Sequence, residues 1–280
     1  MIRALYIIVF GGLLFLLVGC NGNEEVPIWK QVKITDLAPI DKNNQPDSQR
    51  LKTINFNVYI FEIPADEISV MDKVWPMLYT QPLRFNNRGA FSEGSFMVGF
   101  GQIPMWNSVA NSLRSMNGIQ AGTVSLLIPD GQSNNVAITA LGREQTVFYI
   151  SKEGTMEGAK FGRGRLGLRI QAEKIPGSRG VCKVSVLPVF SPLKGSGIPL
   201  LSAREQKGEF PFESMGFRLN ISPGDFVLLG PEKYDSGQMT LSSLLFGKPE
   251  GSLFFNEIER KPPELREAVR LFLIVCTAIN

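Results

Sequence analysis

"LGLRIQAEKIPGSRGVCKVSVLPVF", residues 166–190, sets the fold class of this 280-residue chain. Leu166, Leu168, Ile170 and Ala172 alternate with Arg169, Gln171 and Glu173, the period of two expected of a strand with one buried face. Pro176-Gly177 turns the chain back, and Val181 to Phe190 supplies the hairpin partner. The same period appears upstream in "INFNVYIFEI" (54–63), where Ile54, Phe56, Val58 and Ile60 alternate with Asn55, Asn57 and Tyr59. "TVSLLI", "NVAIT" and "QTVFYI" read as strands between these two regions. "FRLNI" and "FVLL" follow, joined by the turn Ser222-Pro223-Gly224-Asp225. "AVRLFLIVCTAI" is apolar on both faces apart from Arg270 and Thr277, which predicts a central strand covered on both sides.

Two segments carry a helical period instead. In "PADEISVMDKVWPML" the residues Ile68, Met71, Trp75 and Leu78 share a face, with Pro64 near the start and Pro76 expected to end or kink the helix. In "PMWNSVANSLRSMNG" Trp106, Val109, Ala110, Leu113 and Met116 share a face and Asn117-Gly118 stops it. Pro192 to Gly216, rich in Pro, Gly and Ser, reads as a long loop. The expected class is α+β, mostly β, with antiparallel or mixed sheets and about two helices near the start of the folded domain, residues 54–280.

Lys and Arg number 29 against 26 Asp and Glu, a formal net charge of +3. Nothing in that balance points to nucleic acid, which calls for a clustered basic face. There is no histidine, which removes Ser-His-Asp and Cys-His nucleophile systems and the common zinc sites. Gly162-Arg163-Gly164-Arg165-Leu166-Gly167 spells G-x-G-x-x-G, but a strand follows it where a dinucleotide site needs a helix N-terminus. A close backbone approach is the better account. Ser191 and Lys194 match S-x-x-K, yet the glycines at 195 and 197 oppose a helix there and the partner motifs are missing. The acidic residues are scattered and form no D-x-D-x-D-G loop, so no calcium loop, metal site, cofactor or catalytic pair is expected.

The N-terminus has its own logic. Arg3 precedes an apolar run from Ala4 to Val18, about 15 residues, short of the ~20 of a spanning helix but suited to a signal peptide. Leu17-Val18-Gly19-Cys20 ends the run and resembles the bacterial lipobox. The resemblance implies cleavage between Gly19 and Cys20 and lipid on the Cys20 sulfur. Two or more acyl chains hold a protein at a membrane without a spanning helix. Asn21 in place of Asp implies the outer-membrane leaflet facing the periplasm, if the organism is Gram-negative. Residues 1–19 then form a signal peptide, and residues 20–53, polar and without sustained period, the lipidated N-terminus and a tether. Cys182 and Cys276 lie in apolar strand-like runs; in an oxidising envelope they could form a disulfide, and two separately buried thiols are the alternative.

From Trp106 onward the order of elements resembles the C-terminal domain of secretins, the ring-forming outer-membrane proteins of secretion and type IV pilus systems. The helix around Leu113 leads to "TVSLLIPDGQ", "NVAITALGREQTVFYI", "GRGRLGLRIQAEKI" and "VCKVSVLPVFSP". Later come "LNISPGDFVLLG", "LLFG" and "VRLFLIVCTAI". Gly230-Pro231 replaces the family's Gly-Gly, and its gate hairpins and N-terminal ring-building domains have no counterpart. The resemblance therefore implies the sheet scaffold and not a working pore. The expected role is a non-enzymatic envelope lipoprotein, a structural or assembly component that meets the membrane through its lipid. Its partners would be copies of itself or secretion and pilus proteins, paired at sheet edges. A rival is a small-molecule or glycan-binding periplasmic lipoprotein with a pocket lined by Trp75 and Trp106.

Overall fold

Alternation becomes a pair of facing sheets because each strand buries one row of side chains and must bury it against another layer. The structure, a computed structural model, describes residues 52–178, 180–193, 208–235, 237–256 and 261–280. Gly19, Cys20, Lys194 and the tether up to Leu51 lie outside the described residues. The chain is α+β, mostly β.

In chain order the first strands are β1 (Thr53–Pro64), β2 (Arg84–Phe85), β3 (Phe96–Gly101), β4 (Ile119–Pro129) and β5 (Ser133–Leu141). Next come β6 (Gln145–Ile150), β7 (Met156–Phe161), β8 (Gly164–Lys174), β9 (Cys182–Pro192) and β10 (Phe210–Pro211). The series closes with β11 (Phe217–Ile221), β12 (Phe226–Pro231), β13 (Gly247–Asn256) and β14 (Lys261–Ile279). Among the described residues three short α-helices interrupt it: α1 (Arg88–Glu93), α2 (Ile103–Ser115) and α3 (Leu241–Phe246).

One sheet runs β3-β12-β14-β1-β4, with β13 beside the first half of β14; a second runs β2-β11-β9-β8-β5, with β10 on β9. The strand pairs within both sheets are antiparallel. Ile54, Phe56 and Val58 of the first sheet, and Leu166, Leu168, Ile170 and Ala172 of the second, are at most 1% exposed and belong to one core. Fully burying each large aliphatic side chain contributes about 1.5–3 kcal/mol. β8 and β9 form the hairpin read from the sequence, with Gly177 at φ 79° in its turn. β6 and β7 make a separate hairpin, whose Tyr149 and Phe161 pack against Phe210 and Phe212.

The chain passes between the sheets at two tight corners. At the first, Asp130 N–H donates to Lys52 O and Gly131 N–H to Ala172 O, so the turn is tied to both layers. At the second, Ser222 N–H donates to the Asp225 carboxylate and Asp225 N–H returns a bond to Ser222 O.

β14 lies between β12 and β1, and its apolar residues are used on both sides. Phe272 and Ile274 pair with inward-facing Ile60 and Val58. Leu271 and Leu273 face the other way and are buried beneath the segments that cross the outer face. α2 is the most regular of these. It ends as expected: Asn117 takes φ 53°, and Gly118 N–H closes back on Leu113 O, a Schellman stop.

The other expected helix differs. Ala65–Lys73 and Trp75–Met77 are 3-10 turns, and no α-helix forms there. Apolar residues three or four apart suit the tighter winding as well, and Pro76 has no N–H to continue an α-helix. The predicted apolar face still holds: Met71, Trp75 and Leu78 are buried. Trp75 lies over the backbone of Gly230, where a Cβ would come within 3.4 Å of its ring. Of the expected loop from Pro192 to Gly216, residues 194–207 lie outside the description, and Phe210–Pro211 and Glu213–Met215 form a short strand and a 3-10 turn.

Candidate interaction surface

β4 is the feature the strand pattern exposes most plainly. Its sequence, IQAGTVSLLIP, has no charged residue over 11 positions. It forms one edge of the first sheet, and among the described residues its only strand partner is β1. A bulge at Ala121 interrupts its register near the start, leaving Gly122–Pro129 regular. Thr123, Ser125 and Leu127 are exposed on the outer face, Leu127 to 60%. Edge strands are usually protected by charges, prolines, bulges or covering segments, because their free N–H and C=O groups accept foreign strands. The opposite edge has such protection: Tyr79 and Phe100 exchange backbone hydrogen bonds of 2.8 and 2.9 Å across β3. β5, one edge of the second sheet, is also guarded, with a bulge at Ile138 and Thr139 Oγ1 donating to Leu244 O of α3.

Beside β4 runs a groove of about 360 Å³ between the first turn of α2 and the outer face. Tyr59, Phe61, Trp106, Phe226 and Val275 make it aromatic and apolar, Gln120 of β4 adds one amide, and no charged side chain lines it. Trp106 meets Phe226 edge-on at 5.8 Å and Phe61 at 6.4 Å. Above it Ser125 Oγ donates to Asn57 Oδ1 and Asn57 Nδ2 to the Tyr59 hydroxyl. Of the two tryptophans predicted to line a pocket, Trp106 does so and Trp75 is spent in the core.

The polar clusters have partners of their own. Glu62, 4% exposed, accepts from Lys248 Nζ at 3.0 Å and from the Ser252 hydroxyl, and its other oxygen lies 3.6 Å from Arg270 Nε. Arg270 Nη1 also donates to the carbonyl of Ile138, the bulged residue of β5. Lys248 lies 3.1 Å from Ser252 Oγ, a serine–lysine contact. The carboxylate occupies both groups, however, so neither is left to act as nucleophile or base. Ser191 Oγ donates to Glu209, which also receives Asn135 Nδ2 and pairs with Arg169.

Gly164 and Gly167 of the G-x-G-x-x-G run lie inside β8. A Cβ on Gly167 would sit 2.3 Å from Val136 O, and one on Gly164 2.3 Å from the Phe190 ring. Strand packing therefore accounts for these glycines, while Arg163 and Arg165 are exposed.

Cys182 opens β9 and Cys276 lies in β14; both are buried free thiols, and the fold brings them near each other. The neighbouring Cys276 thiol, and then burial, push the Cys182 thiol well above the ordinary thiol range. No family model matches this chain, and no curated protein matches it.

Proposed function

We propose that this chain is a membrane-anchored envelope lipoprotein, a structural or assembly component related to secretin-type secretion or pilus complexes. In this reading it performs no catalysis. It is held at the membrane by lipid on Cys20, and it engages copies of itself or envelope proteins by adding a strand to the β4 edge. The observation that carries the reading is that edge: Gly122–Pro129 is regular, uncharged and open among the described residues, while β3 and β5 are guarded. An added strand of eight residues would form about one backbone bond per residue, comparable with the ~10 hydrogen bonds of an ordinary interface. Two measurements test it. Cells fed labelled palmitate should label the protein, and Cys20→Ser should lose the label. A photo-crosslinking residue at Thr123 or Ser125 should capture an envelope partner or a second copy that Thr123→Lys releases. An unlabelled product with no capture at either position would remove the proposal.

The aromatic groove favours a second reading, a lipoprotein that binds a neutral small molecule or glycan beside Trp106. Ligand binding raises thermal stability by mass action. A screen of neutral glycans should then find a stabiliser whose effect disappears in Trp106→Ala, and a screen without such a hit excludes it.

A further inference from the structure

Arg84 on β2 and Arg218 on β11 sit directly opposite each other in the antiparallel pair that ends the second sheet. Like charges so placed repel and weaken the pairing. Neither guanidinium makes an ion pair among the described residues. Lys183 of β9, opposite Asn220, adds a third positive charge. The three cations border a concave opening of about 460 Å³, to which Gln81 and Asn220 add amides and no residue adds a carboxylate. Glu173 lies 3.9 Å from Lys183 and so draws on that ammonium alone.

The arginines are also held in place. Arg218 is flanked by Phe217 and Leu219, 2% and 3% exposed, and Arg84 by buried Leu83 and by Phe85, which packs on Phe91 at 4.9 Å. Alternation along a strand then directs both arginines outward from a fixed backbone.

We propose that Arg84 and Arg218, assisted by Lys183, bind a phosphate-type oxyanion. Each guanidinium presents a planar fork of N–H donors that matches phosphate oxygens in pairs. A doubly charged phosphate offsets both arginines, whereas a single carboxylate leaves one unopposed. The phosphate comes either from an anionic lipid headgroup or from a soluble phosphate-bearing molecule, and the contacts at the two arginines are the same.

Thermal unfolding of the full chain in detergent decides it, with inorganic phosphate titrated against chloride at matched ionic strength. Phosphate at about ten times its dissociation constant should raise Tm by about 3 to 6 °C beyond chloride. Arg84→Gln and Arg218→Gln, combined, should abolish that rise and increase Tm in low salt without phosphate, because the repulsion is gone. In the unsubstituted chain, phosphate should shield both arginines from modification by phenylglyoxal, which keeps the test open if the double variant folds poorly. Arginine-dependent binding to phosphatidic acid vesicles, whose headgroup is a phosphomonoester, but not to phosphatidylcholine vesicles assigns the headgroup source. A phosphate response without it assigns the soluble one. A rise equalled by chloride, a response retained in the double variant, or no shielding overturns the site.

Discussion

Cys182 and Cys276 belong to different sheets yet flank one corner. Cys182 pairs with Ile221, Cys276 N–H donates to Asp225 O, and only Ser222-Pro223-Gly224 separates those two partners. Treating the folded protein with oxidised glutathione should exchange the two thiols into one disulfide, with the reduced glutathione released. The closed loop of roughly 95 residues is worth about 4 to 5 kcal/mol in the chain-entropy account. Urea unfolding should show that gain, and mass spectrometry the loss of two hydrogens. Two alkylatable thiols after oxidation and denaturation would refute the pairing.

Among the described residues Glu62 is the one carboxylate paired with both Lys248 and Arg270, and it is buried. Glu62→Gln leaves the partly buried Lys248 and Arg270 without this countercharge and should cost about 3–5 kcal/mol. Lys248→Met should cost less, since that side chain is 29% exposed and Arg270 stays beside the carboxylate. Urea midpoints at constant m-value measure both. Equal losses would show that Arg270 does not share the charge.

Gly162 and Gly167 make an internal comparison within one motif. A Cβ at Gly162 meets nothing within 4 Å, while one at Gly167 meets Val136 O at 2.3 Å. Gly162→Ala should stay within about 0.5 kcal/mol of the parent, and Gly167→Ala should cost about 1–3 kcal/mol. A nucleotide loop would instead make both substitutions matter to ligand binding with little change in stability.

Tyr234 sets an alkaline limit. Burial, the Glu267 charge and a 3.2 Å hydrogen bond to that carboxylate push its phenol up to about 12. The protonated phenol is favoured in the fold, so its contribution is complete below about pH 10, the ordinary tyrosine value, and is lost as pH rises toward 12. Absorbance titration near 295 nm should show a late-ionising tyrosine that Tyr234→Phe removes. Ionisation of every tyrosine near pH 10 would contradict this.

Much of the fold was legible because period two is a direct image of one-sided burial. Leu166 to Ala172, Ile54 to Val58 and the two-faced run of β14 all lie where that pattern puts them. The pattern of β3 is weak because "FMVGFG" contains two glycines, which dilute a strand signal. Their use appears only in three dimensions, where Leu78 fills the space at Gly99 and Phe226 that at Gly101. The clusters were illegible for another reason. Glu62, Lys248 and Arg270, like Arg84, Lys183 and Arg218, are far apart in the chain and are brought together by strand register alone. Composition averages over such groups, so a near-neutral total hid a local knot of positive charge.

β14 also decides when the molecule can form. It follows every other described strand in chain order, yet it is the partner that both β1 and β12 require. Until the ribosome has made it, β1 has only β4 beside it and β12 only β3. Pairings between such remote segments raise contact order and slow folding toward milliseconds to seconds. Whatever escorts the nascent chain must therefore shelter two half-built ribbons until the strand that joins them emerges.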